Sequence, residues 1–344
     1  MAKSLRIAVD AMGGDLGPRV TVSALLDFLH HHRQVSALVF GDQVQVGEQL
    51  SLSPFKDPTL LDRVEVRHSN SQVVDSDKPS AVIRHKRDSS MGLALQALAA
   101  GEADAFISAG NTGAIMALGL YFVKPLPGIS RPAICTTVPT ISGLSYVLDL
   151  GANPVCSAAQ LYEFALLGVL TAKELESIES PSVRLLNVGE ESNKGREDIQ
   201  QAAALLEADP EINYCGYIEG NGIFHGGTDV IVCDGFAGNV ALKTSEGLTA
   251  MVAARFRQAI GRGWLARLAL LMLSGPLSKL KVQLDPARYN GAYFLGLNAV
   301  VVKSHGSASQ AAFGRALEVA TEAAEHNLPE VLSPILKHKL NQPG

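Results

Sequence analysis

Six times along this chain a short apolar run ends in a loop of glycine and small polar residues and passes into a helical pattern. Leu5 to Val9 leads into Asp10-Ala11-Met12-Gly13-Gly14-Asp15, with a helix expected from about Pro18. Ala105 to Ile107 leads into Ser108-Ala109-Gly110-Asn111-Thr112-Gly113, and Tyr146 to Leu148 into Asp149-Leu150-Gly151-Ala152-Asn153. Val183 to Asn187 leads into the loop 189–195, Val230 to Cys233 into Asp234-Gly235-Phe236-Ala237-Gly238-Asn239, and Ala299 to Val302 into Lys303-Ser304-His305-Gly306-Ser307. Strands alternating with helices predict an α/β protein with a mainly parallel sheet covered on both faces. Ligands of such sheets bind beyond the carboxyl ends of the strands, so all six loops are expected at one carboxyl edge. Glycine there admits positive φ and lets backbone approach a ligand.

Composition narrows the function. Hydrophobic residues at 47% against 18% charged indicate a packed protein rather than a disordered one. A net charge of −5 is the wrong sign for a nucleic-acid binder. No apolar run reaches the ~20 residues of a membrane span, and the one near the N-terminus is too short for a secretory signal. Cys135, Cys156, Cys215 and Cys233 are scattered, which suits reduced thiols in a cytoplasm rather than a disulfide framework or zinc site. No linker or repeat divides the chain, so residues 1–344 are read as one unit, with the proline-containing stretches 53–58 and 124–132 as connections.

The motifs that would signal common chemistries are missing. There is no Walker-type phosphate loop, and Gly13-Gly14-Asp15-Leu16-Gly17 has the wrong spacing for a dinucleotide fingerprint. Neither a zinc-binding His/Cys spacing nor a serine nucleophile elbow is present. What remains suits an anion. Asn111, Thr112 and Gly113 precede a helix whose free N–H groups favour phosphate. Asn239 repeats the arrangement, with Lys243 one turn further on. Lys194 sits in a glycine-flanked loop, as either a ligand-reaching ammonium or a solvated lysine. His305, between Ser304 and Gly306-Ser307, is either a donor to an anion or a histidine satisfied by nearby backbone.

These blocks together resemble the acyl-ACP:phosphate acyltransferases of bacterial phospholipid synthesis. IAVDAMGGDLGP opens the chain, and SAGNTGA at 108–114, LDLGAN at 148–153, GEESNKG at 189–195, VCDGFAGNVALKTSEG at 232–247 and VVVKSHGSAS at 300–309 follow in family order. The resemblance spans nearly the whole chain. It implies a Rossmann-like α/β/α fold akin to isocitrate dehydrogenases and phosphotransacetylases, a homodimer, and no organic cofactor. The implied reaction moves a fatty acyl group from acyl carrier protein to inorganic phosphate, and a membrane glycerol-phosphate acyltransferase consumes the product. Under this reading Asn111, Thr112, Lys194 and Asn239 hold phosphate, with Ser108 and Ser307 beside them. His305 is the acid or oxyanion donor, Lys194 acts in catalysis as well, and Asp234 orients one of these groups or only shapes its turn. One departure stands after LDLGAN, where Pro154-Val155-Cys156-Ser157 replaces the family's Asp-Cys-Lys-Pro-like segment; no catalytic role is placed there.

Acyl carrier protein is acidic, so a basic dock is expected despite the net charge. Arg84, Lys86 and Arg87, around His85, form the densest basic cluster, read either as that dock or as a solvated helix face. The stretch 247–284 carries no acidic residue and sets Phe256, Ile260, Trp264 and Leu268 among arginines at helical spacing. It reads as an interfacial contact with an anionic membrane, as a helix packed in a dimer, or as both. The expected location is therefore cytoplasmic, peripheral to the inner face of the membrane. Rival readings are a phosphotransacetylase acting on acyl-coenzyme A, a decarboxylating dehydrogenase, and a non-enzymatic scaffold at the membrane surface.

Overall fold

A computed structural model describes residues 4–55, 57–259, 275 and 286–340. Ile260, Trp264 and Leu268, and the side chain of Phe256, lie outside the described residues. The chain begins β1 (Leu5–Asp10), α1 (Pro18–His31), β2 (Val35–Gly41), α2 (Gln43–Ser51), α3 (Pro58–Leu61) and β3 (Val64–His68). It continues α4 (Pro79–His85), α5 (Ser90–Ala99), β4 (Ala105–Ser108), α6 (Thr112–Phe122), β5 (Ala133–Thr140) and β6 (Gly143–Leu148). Next come α7 (Ala158–Glu176), β7 (Ser182–Leu186), α8 (Glu197–Ala208), β8 (Asn213–Ile218), β9 (Val230–Val232) and α9 (Gly235–Ala259). After a single 3-10 turn at Pro286–Tyr289 the chain ends β10 (Ala292–Leu295), β11 (Val300–Lys303), α10 (Gln310–Glu325) and α11 (Leu328–Leu340).

The strands make one sheet in the order β3-β2-β1-β4-β11-β10-β5-β6-β9-β7-β8. Side-chain alternation sorts each strand between two cores. Ile7 and Val9 join one core with α1, α7 and α10, whereas Ala8, Phe106 and Val301 join the other with α5 and α6. Each core has fully buried large side chains at its centre, Phe164 and Phe313 in the first and Phe106 and Met91 in the second. Burying each such side chain stabilises the fold by roughly 1.5–3 kcal/mol.

Most strand pairs are parallel, but the sheet is built from two blocks of opposite direction. β3, β2, β1, β4 and β11 run one way. β6, β9, β7 and β8 run the other way. The reversal comes from three antiparallel pairings in the middle, β11 with β10, β10 with β5, and β5 with β6. The expectation that all six glycine-rich loops leave one edge is therefore corrected: those after β1, β4 and β11 leave in one direction, and those after β6, β7 and β9 in the opposite one. The register nonetheless brings the two sets of carboxyl ends to one level. Val302 pairs with Tyr293, Tyr293 with Cys135, Cys135 with Leu148, and Leu148 with Val232. Lys303 at the end of one block and Leu148 at the end of the other thus fall within a residue of the same line across the sheet.

Candidate active site

Two helices on one face tie the opposed carboxyl ends together. α6 starts where β4 ends, and its N-cap Asn111 is fully engaged. Asn111 Oδ1 accepts the Ala114 N–H at 3.0 Å, while Nδ2 donates to the Asp75 carbonyl at 2.9 Å and the Asp77 carbonyl at 3.3 Å. The cap fixes the helix start, and the amide pins the loop before α4 against it. The same helix packs tightly on the connection between β10 and β11: a β-carbon at Gly119 would come to 3.0 Å from Leu297.

α9 rises from the other block. Asp234 Oδ1 accepts the Ala237 N–H at 2.7 Å, and Oδ2 pairs with Arg196 at 2.8 Å. Asp234 therefore caps α9 and holds the loop that carries Lys194, whose exposed side chain stands between Asn193 and Gly195. A β-carbon at Gly238 would overlap the Asp149 carbonyl, so α9 lies directly on the loop after β6. Asn239 packs beside Gly151. One turn later the Lys243 ammonium reaches His305 Nε2 at 3.1 Å, in the loop after β11. α9 thus carries its side chains from one set of carboxyl ends to the other.

The loop after β11 is rigidly held. Asn290 Oδ1 accepts the His305 N–H at 2.9 Å, and Asn290 Nδ2 donates to Ser304 Oγ at 2.7 Å and to the Ala312 carbonyl at 2.8 Å. Ser307 lies against His305 Nδ1, its N–H at 3.2 Å and its Oγ at 2.9 Å. Partial burial, and then the Lys243 ammonium, lower the His305 pKa, which keeps the ring neutral at physiological pH. Lys303 continues the face of Val301 and points to the side of the sheet that α6 and α9 cover. Burial pushes the Lys303 ammonium down to about 8 against the pull of Asp75, with Lys243 adding to the lowering. Its ammonium donates to the Ser304 carbonyl at 2.9 Å.

Ser108 plays a different part. It is buried, its Oγ donating to Asp10 Oδ2 at 2.6 Å and accepting the Gly110 N–H at 2.9 Å. A β-carbon at Gly13 would sit 2.8 Å from both Gly110 N and Ser108 Oγ. The two glycine loops therefore lock backbone to backbone, with Ser108 as the bolt.

Thr112 and Gly113 line a cavity of about 520 Å³ between α4, α6 and the loop after β6. Its walls are mostly apolar, from Pro79, Ile83, Met116, Ala117 and Leu120, with Arg131, Gly151 and Ala152 along one side. Arg87 lies near one end, donating to the Tyr121 hydroxyl at 2.6 Å. Lys86 is paired with Asp77 at 2.6 Å, and Arg84 is exposed at the end of α4. Among the described residues there is no cluster of His, Cys, Asp and Glu able to hold a metal ion, and no helix long and apolar enough to cross a membrane.

The structure sets His305 and Ser307 at Lys243 of α9, and Asn239 against Gly151, which lines the same cavity as Thr112, while Lys194 stays exposed in its own loop. Arg196, Arg131 and Lys303 were not singled out from sequence. For Lys303 a signal was present: a charge ending a run of buried valines, on the same strand face as Val301.

Comparison with known proteins fits this architecture. Residues 5–331 match the family model described as "Fatty acid synthesis protein". A phosphate acyltransferase of Halorhodospira halophila is 43% identical over 340 residues, covering 99% of this chain and 98% of that protein. One from Pseudomonas aeruginosa is 47% identical over 336 residues, covering 97% and 98%. Among solved structures, the EutD phosphotransacetylase from Staphylococcus aureus superimposes with a TM-score of 0.60 at 16% identity, covering 94% of this chain and 96% of that one. A phosphotransacetylase from Streptococcus pyogenes gives 0.60 at 17% identity over 93% and 94%. At those identities the structures speak for the fold, a Rossmann-like α/β/α arrangement of the phosphotransacetylase kind. The sequence relatives say more: with such identity sustained from end to end, this chain belongs to the phosphate acyltransferases, enzymes of fatty acid and phospholipid synthesis.

Proposed function

We propose that this enzyme transfers a long-chain fatty acyl group from acyl carrier protein to inorganic phosphate, releasing an acyl phosphate for phospholipid synthesis. The observation that carries the reading is an apolar groove lined by Thr112 and Gly151, residues through which the loops bearing the polar groups reach it. On one side the groove begins at Thr112, beside the Asn111 that holds the Asp75 loop, and Asp75 faces Lys303. On the other it borders Gly151, against which Asn239 packs one turn before Lys243. An alkyl chain in the groove would leave its thioester carbonyl at those polar groups. Each methylene it buries contributes about 0.8 kcal/mol.

The reaction needs no nucleophile from the protein. An oxygen of hydrogen phosphate attacks the thioester carbon, a C–O bond forms, and the carbonyl oxygen becomes an oxyanion. Collapse breaks the C–S bond, and the departing thiolate takes up the proton that phosphate gives up. Products are acyl phosphate and the free carrier thiol. The buried cysteines suit this direct route: burial, and then Asp149, push the Cys156 thiol up to about 12, and Cys135 and Cys233 are raised well above the usual range. None is a thiolate at neutral pH. The protein's task is to align two reactants, worth up to ~7–11 kcal/mol in favourable cases.

Within this reading Thr112, Asn239 and Lys194 stand around the reacting groups at the groove, while Asn111 and Ser108 shape the loops beside them. Arg84 faces the acidic carrier, with Lys86 and Arg87 beside it tied to Asp77 and Tyr121. The exposed apolar residues of α9, Phe236, Val240, Leu248, Met251 and Val252, support a further contact with a second copy of the chain or with an anionic membrane. Acyl phosphate would pass from there to a glycerol-phosphate acyltransferase.

The test incubates purified protein with palmitoyl-acyl carrier protein, with and without phosphate, trapping acyl phosphate with hydroxylamine while a thiol reagent follows released carrier. Phosphate-dependent formation of both products is expected. Turnover with acyl-coenzyme A alone would move the enzyme to the phosphotransacetylases, and silence with both donors would leave the scaffold.

A further inference from the structure

The contact between Lys243 and His305 contains a conflict of donors that identifies what is meant to lie there. A backbone N–H can only donate, and that of Ser307 is directed at His305 Nδ1 at 3.2 Å. With the Ser307 hydroxyl, 2.9 Å away, turned to donate as well, Nδ1 offers its lone pair, and in a neutral ring the proton resides on Nε2. Nε2 faces the Lys243 ammonium at 3.1 Å, and an ammonium is likewise a donor with no lone pair. Two donors therefore converge without an acceptor between them. Glu246 does not resolve the conflict, because it takes another Lys243 proton from the same helix at 2.9 Å. The next cation is Lys303, which feels the field of Lys243 and whose ammonium donates to the Ser304 carbonyl. An anionic oxygen placed between Lys243 and His305 would accept from both, with Lys303 behind it.

We propose that Lys243, His305 Nε2–H and Lys303 form the seat of inorganic phosphate, with His305 acting as a fixed neutral donor and not as a general acid. The seat rests on the acyl-transfer reading for its role in the reaction but not for its existence, since it binds phosphate with no acyl donor present. The groups facing His305 are Lys243 and Glu246 from α9, Lys303 from β11, and Asp15 from the loop after β1. Asp15 is held there by its N–H, which donates to the Gly306 carbonyl at 2.9 Å. In the resting protein the two acids offset the two ammonium charges, so an anion is drawn by the converging N–H donors and not by a net positive charge.

Two measurements test the proposal on the full-length protein. Nitrogen-15 NMR of the unmodified protein reports the His305 tautomer, with His305→Gln supplying the assignment. A protonated Nε2 and a bare Nδ1 are expected, and a proton on Nδ1 would overturn the argument without any question of folding. Calorimetric titration with inorganic phosphate alone then compares variants. Lys243→Ala and His305→Ala should each weaken binding roughly tenfold or more, the range for a charged hydrogen bond. His305→Gln, whose amide nitrogen can take the place of Nε2 as a donor, should recover most of the loss. If phosphate affinity is unchanged in the alanine variants while acyl transfer collapses, these groups hold the thioester oxyanion and the phosphate seat is wrong. If phosphate binds as expected but no acyl transfer occurs, the seat stands and the acyl-transfer reading fails.

Discussion

The loops after β6 and β9 and the loop after β11 are similar in composition, yet they spend their polar groups in opposite ways. After β6 everything is matched. Asp149 Oδ1 accepts N–H groups from Ile134, Gly151 and Ala152, and Oδ2 accepts the Asn153 N–H and its side-chain amide. Arg131 donates to Asn153 Oδ1 at 2.8 Å, and Arg196 pairs with Asp234. After β11 two donors, the Lys243 ammonium and His305 Nε2, face each other at 3.1 Å with no acceptor between them. A polar loop that closes on itself builds the fold, whereas one left short of acceptors is built for a ligand. Burial alone does not separate the two, and neither does glycine content.

Substitution should separate them sharply. Asp149→Asn turns one of its two acceptor oxygens into a donor amid five N–H groups. The cost of such a broken buried network is about 3–5 kcal/mol. Urea unfolding should show a large drop in midpoint, with activity lost only as the fold is lost. Lys243→Ala breaks an exposed pair with Glu246 worth at most about 1 kcal/mol, so the unfolding midpoint should barely move while phosphate binding suffers. If the aspartate variant folds with near-normal stability, the division between structural and ligand-facing loops collapses.

Much of this frame is legible from the residues. The β-branched runs before Asp10, Ser108, Asp234 and Lys303 announce strands, and the glycines after them announce loops that approach one another closely. The order of blocks around His305 carries the family. The reversal of the sheet is not legible, because it depends on β10 inserting between β11 and β5, strands about 160 residues apart in the chain for the second pairing. No local pattern in Ala292–Leu295 states its neighbours. The partners of Asn111 are hidden for the same reason. Its capping role follows from its place before a helix, but the carbonyls of Asp75 and Asp77 come to it only through the packing of α4 on α6. Arg196 lay one residue past the GEESNKG block and became visible only when Asp234 was found beside it.

The groove gives the next largest effect. Ala117→Phe would fill part of its wall and exclude the far methylenes of a long chain. With each lost methylene worth about 0.8 kcal/mol, kcat/KM should fall roughly fourfold per excluded CH₂ for palmitoyl donors and little for octanoyl ones. Equal losses on both chain lengths would detach the groove from the acyl chain. A smaller effect is expected from pH. With its folded pKa near 8, Lys303 is charged below that value and neutral above it, so phosphate affinity should decline as pH rises through about 8. The same shift works oppositely on stability: between about 8 and the ordinary lysine value the unfolded chain binds more protons, so this group favours folding increasingly as pH rises. Lys303→Arg, charged throughout, should flatten the binding profile near pH 8; an unchanged profile would assign the titration elsewhere.

The smallest effect belongs to a third kind of region, a charge committed neither to the fold nor to the groove. Of the three basic residues at the end of α4, Lys86 is consumed by Asp77 and the Gln72 carbonyl, and Arg87 lies 5.3 Å from the Tyr121 ring centroid while bonding its hydroxyl. Arg84 alone of the three projects from an exposed position without a part in either network, so it is the one whose charge is available to an acidic carrier at a distance. Arg84→Glu should lower kcat/KM for acyl carrier protein only severalfold at low ionic strength, through slower encounter, and leave the unfolding midpoint in place. Raising salt shortens the screening length from about 30 Å at 0.01 M to about 3 Å at 1 M, so the difference from the parent enzyme should vanish as salt is added. A loss that persists at high salt would mean that Arg84 makes a close contact instead of steering. No loss at any salt would return this end of α4 to ordinary solvated surface, and the carrier would have to dock by another face.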